Sequence, residues 1–126
     1  MLPIAVYGTL REGQPNDHLW VSNNGRSEPC MIPGFRLVSQ SYFPYALPDE
    51  DQSSVGEIIV FDNEQDYLNA RNRMDRLEGV PNFYKRVVVE VITANGTCDA
   101  WLYTPADPED YEHLPEVHAN DWCYCS

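Results

Sequence analysis

The sequence predicts an α+β domain in which a mixed, mostly antiparallel sheet curls into a small β-barrel flanked by a few short helices. Strand-like segments outnumber helical ones along the chain. Consecutive strand-like segments are joined by turn residues or by one helix, a pattern that favours antiparallel pairing over repeated βαβ units. With 126 residues, 43% of them hydrophobic, the chain can bury one core of ordinary size, so residues 1–126 are read as a single domain.

Residues 3–7 form a short apolar run that reads as a buried strand, broken by Gly8. Thr9-Leu10-Arg11-Glu12 fits an S/T-x-x-E capping box and predicts a helical turn, which Gly13 and Pro15 keep short. Pro15 suits a first helical position, with a short helix running through Trp20, and Asn23-Asn24-Gly25 is a turn. Residues 30–41 read as a strand or broken hairpin interrupted at Pro33-Gly34, and residues 43–47 as a short extended piece. Residues 55–61 are a clear strand, with Val55, Glu57, Ile59 and Phe61 on one face. Asp62 reads as the cap of a helix, with Gln65 three residues on and an apolar stripe of Tyr67, Ala70, Met74 and Leu77. Gly79 and Pro81 end that helix. Residues 84–93 are the longest predicted strand, with Val87, Val89 and Val91 on one face; Asn95-Gly96 is a hairpin turn, and residues 98–103 are the return strand. From about residue 105 the chain is acidic, rich in proline and expected to be irregular, with Trp122 to pin it.

Eight basic residues stand against 20 acidic ones, a net charge of −12. Such a surface repels nucleic acid and anionic membranes, so neither is an expected partner. No apolar run approaches the roughly 20 residues of a membrane helix. The first ten residues carry no basic region and hold Tyr7 and Gly8 within their apolar stretch, which is unlike a secretory signal; a cytoplasmic location is the expectation. No Lys or Arg follows Arg86, whereas eight Asp and Glu residues do, and this half is read as a solvated acidic face. Cys30, Cys98, Cys123 and Cys125 contain no C-x-x-C pair. His113, His118, Cys123 and Cys125 could offer four soft ligands, but a C-x-C spacing bends the chain too tightly for easy tetrahedral coordination. No metal and no cofactor are expected, and His18, His113 and His118 are read as surface residues.

Three features could carry chemistry. Tyr7-Gly8-Thr9-Leu10 follows a strand directly, and a tight turn there leaves main-chain N–H groups without partners, free to bind a carboxylate or polarise a carbonyl; an ordinary strand-to-helix turn is the plainer alternative. Glu78 sits on the shoulder of the apolar stripe at a helix C-terminus, where partial burial and the helix dipole both push a carboxyl pKa upward, towards general acid–base use; otherwise it is a solvated side chain at a frayed end. Glu57 lies on an apolar strand face and needs a partner or a role. Arg86 is the expected ion-pair partner, and a second active-site carboxylate is the rival reading. No Ser-His-Asp order, nucleophile elbow, P-loop or dinucleotide fingerprint is present.

Taken together, Val6-Tyr7-Gly8-Thr9-Leu10-Arg11 with Gly13-Gln14-Pro15-Asn16, then Phe43-Pro44-Tyr45-Ala46-Leu47, Val55-Gly56-Glu57-Ile58, Met74-Asp75-Arg76-Leu77-Glu78-Gly79, Tyr84-Lys85-Arg86 and Asp121-Trp122 resemble, in order, the γ-glutamylcyclotransferase-like (AIG2-like) family, which includes γ-glutamylamine cyclotransferases. The resemblance spans roughly residues 4–122 and implies a small mixed β-barrel flanked by helices. It implies an intramolecular reaction as well: the α-amine of a γ-glutamyl compound attacks its own γ-carbonyl, giving 5-oxoproline and releasing an amine or amino acid. Carried over by residue, the loop of Tyr7, Gly8, Thr9 and Leu10 holds the glutamyl moiety, Glu78 is the general base and acid, Tyr84 is the aromatic residue beside the cavity, and Arg86 braces the site. The implied partner is a small γ-glutamyl substrate, with the leaving group and oligomeric state left open. The alternatives are a non-catalytic module that binds a small carboxylate or peptide end, and a different lyase or hydrolase with Glu57 as its working acid.

Overall fold

The computed structural model describes residues 1–40 and 42–122. Five strands and two helices follow in the order β1 (Ile4–Val6), α1 (His18–Val21), β2 (Arg26–Ser39), β3 (Pro44–Val60), α2 (Glu64–Glu78), β4 (Tyr84–Thr93) and β5 (Gly96–Pro105). The strands close a barrel in the order β1-β3-β2-β4-β5. All neighbours are antiparallel except β1 and β5, whose parallel pairing of Ile4 with Trp101 and Ala5 with Leu102 closes the ring. The mixed, mostly antiparallel barrel is the fold class expected from the sequence.

Period-two alternation gives the barrel two apolar faces. Ala5, Ile32, Leu37, Ile58, Val91 and Leu102, drawn from all five strands, belong to one buried cluster that fills the interior. Ile4, Val6 and Ile59 point the other way and form a second cluster with Leu19 and Trp20 of α1 and Tyr67, Ala70 and Met74 of α2. The helices therefore lie against the outer face of β1 and β3. Of the stripe predicted for α2, Tyr67, Ala70 and Met74 are buried, but Leu77 is 47% exposed.

Several elements differ from expectation for definable reasons. Residues 30–41 and 43–47 belong to one long β2–β3 hairpin: pairing runs from Arg26 opposite Val60 to Ser39 opposite Pro44, and Pro33-Gly34 is absorbed as a bulge between Pro33 and Phe35. The capping box at Thr9–Glu12 does not form: the Glu12 N–H donates to the Glu57 carboxylate (2.8 Å) instead of to Thr9 Oγ1, which accepts from the Asn16 side chain. The cap of α2 is Asn63, whose Oδ1 accepts the Asp66 N–H at 2.9 Å. Asp62 points away into an exposed ion pair with Arg26. The acidic tail is more ordered than its composition predicted. Two short 3-10 turns, Pro108–Tyr111 and His118–Asn120, are joined by a bridge of Glu116 to Val38. The Asn120 side chain accepts the Leu37 N–H at 2.9 Å and donates to Gln52 Oε1 at 2.8 Å.

Candidate active site

Where β1 and β5 finish and β3 and β4 start, the barrel end opens into a cavity of about 560 Å³. Tyr7, Gly8, Thr9, Leu10, Glu78 and Tyr84, the residues singled out from the sequence, all line it. Glu57 does not.

The loop after β1 is held by its carbonyls. Gly8 C=O accepts the Arg11 N–H, Thr9 C=O accepts the Asn16 N–H (both 2.9 Å), and Leu10 C=O accepts the Trp20 indole N–H at 2.7 Å. Thr9 Oγ1 also accepts from the Asn16 side-chain amide at 3.0 Å. The main-chain N–H groups of Gly8, Thr9 and Leu10 donate to no partner among the described residues. A cluster of free donors beside a cavity is suited to an anion or a developing oxyanion. Only glycine fits at position 8, since a Cβ there would stand 2.7 Å from Cγ and Cδ of Pro44 at the start of β3.

Behind this loop lies Arg11, buried to 9% exposure. Its guanidinium bridges Glu57 and Asp121, each at 2.8 Å. Glu57 thus finds its cation in Arg11, not in Arg86 as expected from the sequence. The reason is topological: Glu57 pairs with Val6 across β1–β3, which brings it beside the residues that follow β1. Two carboxylates on one buried guanidinium, with the Glu12 N–H on the second Glu57 oxygen, tie the loop to β3 and to the tail.

Glu78 is the last residue of α2. Gly79 follows with φ +64°, and its N–H and that of Val80 bond back to Arg76 and Asp75, a Schellman-type stop that a Cβ-bearing residue adopts with strain. The Glu78 carboxyl is partly buried at the cavity wall, and no ion pair or hydrogen bond to it forms among the described residues. Burial without a partner raises its pKa to about 7. At that value the group takes and returns a proton near neutrality.

The end of α2 is braced one turn back. Asp75 accepts the Tyr103 hydroxyl at 2.6 Å and pairs with Arg86 at 2.8 Å, and the Arg86 guanidinium lies 4.7 Å over the Trp101 ring. Tyr7 donates its buried hydroxyl to the Tyr103 carbonyl at 2.7 Å, linking β1 to the same strand. The Tyr7 hydroxyl is therefore committed to the scaffold, and Arg86 braces rather than faces the cavity, as expected for it. Burial and the nearby Glu78 charge push the Tyr7 and Tyr84 hydroxyls well above the usual tyrosine range, so both are neutral donors.

Phe43, Tyr45 and Tyr111, to which no site role was assigned from the sequence, complete the wall beside Tyr84. The Tyr45 ring stacks on Tyr111 (centroids 4.1 Å, 22°) and lies near-parallel to Tyr84 (6.2 Å, 17°), with Phe43 edge-on at 5.4 Å. Tyr111 comes from the acidic tail, whose composition carried no signal of a cavity role. Arg11 was detectable only through its partner, the acid stranded on an apolar strand face. No group of three or more His, Cys, Asp or Glu side chains able to hold a metal ion occurs among the described residues. The tail set considered above is incomplete there, since Cys123 and Cys125 lie outside the described residues.

A family described as gamma-glutamyl cyclotransferase, AIG2-like, matches residues 4–124. The chain belongs to that family. Gamma-glutamylaminecyclotransferase of Rattus norvegicus is 30% identical over 100 residues, covering 72% of this chain; this chain spans 64% of the rat protein's length. The Bos taurus protein of the same name is 25% identical over 137 residues, with 96% of this chain and 76% of that one covered. The crystal structure of an AIG2-like protein from Mus musculus superposes with a TM-score of 0.73 at 25% identity, covering 96% of this chain and 88% of that one. The gamma-glutamyl cyclotransferase fold is thus the fold of this chain.

Proposed function

We propose that this member of the family is an active cyclotransferase that converts a γ-glutamyl amine or related amide to 5-oxoproline and free amine, with Glu78 as its proton shuttle. The observation that carries the reading is the Glu78 carboxyl, raised to about 7 by burial, sharing one cavity with the N–H groups of residues 8–10, neither with a partner among the described residues.

In the α-ammonium form the substrate nitrogen has no lone pair. Glu78 carboxylate removes a proton, the amine nitrogen forms a bond to the γ-carbon, and the carbonyl oxygen takes up negative charge. When the carbonyl re-forms, the bond from the γ-carbon to the leaving nitrogen breaks and Glu78 returns its proton to that nitrogen; the ring nitrogen then gives up its second proton, which the departing amine takes up to leave as the ammonium. Ring closure needs no external nucleophile, so holding the glutamyl chain folded supplies much of the rate. The loop N–H groups stabilise the α-carboxylate or the oxyanion. No step requires a metal or cofactor.

A non-catalytic binding module predicts a Glu78 open to water or locked onto Arg86. The pairing of Arg86 with Asp75 and the unpaired state of Glu78 favour the enzyme. Incubation with a panel of γ-glutamyl amines, γ-glutamyl amino acids and glutathione, read for 5-oxoproline by mass spectrometry, tests the proposal. Product that disappears in Glu78→Gln supports it. Product lost in Glu57→Gln but retained in Glu78→Gln moves the chemistry to the strand, and no product from any compound leaves the binding module.

A further inference from the structure

The cavity has a second, apolar half that the chemistry of ring closure does not use. Phe43, Leu77 and Phe83 line it yet are 46%, 47% and 72% exposed. Exposed apolar side chains gathered on one cavity wall mark a binding surface, and Phe43 packs edge-on against Tyr45, which stacks on Tyr111 of the same wall. Arg76 and Glu78 are the charged residues of the cavity wall. Tyr111 itself stands in an acidic run, Asp107, Glu109, Asp110 and Glu112, whose field repels a carboxylate arriving at this side.

We infer that the leaving group is an apolar amine carrying an aromatic ring and no carboxylate, seated against Phe83, Leu77, Phe43 and Tyr111 while the glutamyl part occupies the loop end. The inference rests on the cyclotransferase reading above. Burial of the exposed rings is satisfied by an apolar group of matching size, and an aromatic ring meets Phe43 and Phe83 with the edge-to-face or offset contacts that such rings favour. A leaving amino acid or dipeptide, as in γ-glutamyl-glycine or glutathione, would bring a carboxylate to a wall with one arginine and four neighbouring acids in sequence.

Four compounds decide the matter: γ-glutamyl-phenethylamide, γ-glutamyl-methylamide, γ-glutamyl-1,5-diaminopentane and γ-glutamyl-glycine. Turnover of the phenethylamide is expected at a kcat/KM about tenfold or more above each of the others. Phe83→Ala and, separately, Tyr111→Leu are expected to lower the phenethylamide-to-methylamide ratio of kcat/KM by about tenfold, chiefly through KM. A charged amide used as well as the phenethylamide, or a ratio unmoved in both variants, overturns the inference. If none of the four yields 5-oxoproline, the cyclotransferase reading falls. Calorimetry of the same compounds on the wild-type protein then decides the apolar subsite by itself: tighter binding of the phenethylamide upholds it, and equal or absent binding refutes it.

Discussion

Two glutamates on opposite sides of the same loop show what environment does to one side chain. Glu57, on β3, meets a buried guanidinium at 2.8 Å and a main-chain N–H at 2.8 Å. Glu78, at the end of α2, is partly buried with no partner among the described residues. The first has both carboxylate oxygens engaged, one by Arg11 and one by the Glu12 N–H, and ties the loop to β3. The second carries an unmet desolvation penalty, and that penalty makes its proton mobile near neutral pH. Charge that is met by partners fixes a scaffold position, whereas charge left unmet suits the proton exchange proposed for Glu78.

The largest expected effect follows from breaking that contrast at Glu78. With a cleavable γ-glutamyl amine, Glu78→Gln should lower kcat by about 10²–10⁴-fold, the range for removing a general acid–base group. The wild-type pH profile of kcat/KM should show an acid limb near pH 7, set by deprotonation of Glu78, that is absent from the residual activity of the variant. An unchanged kcat or an acid limb below pH 5 refutes the assignment. Glu57→Gln should do the reverse: activity within about tenfold of wild type, but a folded state weaker by about 2 kcal/mol in chemical denaturation, because Arg11 stays buried with one carboxylate partner removed.

The same contrast is readable as stability against pH. The Glu78 pKa is raised in the folded state, from 4.5 to about 7. Its favourable contribution is complete below pH 4.5, declines as the unfolded chain ionises, and is gone above pH 7. The stability of Glu78→Gln relative to wild type should therefore increase between pH 4.5 and 7 by about 2 kcal/mol, allowing for the cavity's opening to water, and stay level above that. A difference that is flat with pH means that the carboxyl is not desolvated.

The structure also separates what local sequence carries from what topology alone supplies. β4, the hairpin at Asn95-Gly96 and the stop at Gly79 were legible because alternation, turn chemistry and a positive φ act over a few neighbouring residues. The partial burial of Glu78 was legible because it ends an amphipathic helix on the shoulder of the apolar stripe. The partner of Glu57 was not: Arg11 and Arg86 were equally available in sequence, and the β1–β3 register decides between them. The 17-residue β3 was read in pieces, since Pro48 and the run from Asp49 to Gln52 look like a loop until β2 pairs alongside it. Tyr111 reaches the cavity through a tail whose order depends on long-range bonds such as Asn120 to Leu37.

A third carboxylate supplies the baseline for the other two. Asp62 pairs with Arg26 at 2.7 Å, a separation as short as the Glu57–Arg11 contact, but the two side chains are 79% and 58% exposed. Water and salt already solvate both charges, so distance alone should count for little here. Asp62→Ala is expected to change stability by less than about 0.5 kcal/mol. Its neighbour Asn63 gives the opposite result from an equally exposed setting, because its side chain satisfies the Asp66 N–H at the open end of α2. Asn63→Ala should cost about 1 kcal/mol. Thermal or urea melts of the two variants side by side check both figures. If Asp62→Ala proves the more damaging, then the exposed pair fastens α2 to β2 more firmly than its solvation allows, and burial is not what sets Glu57 apart.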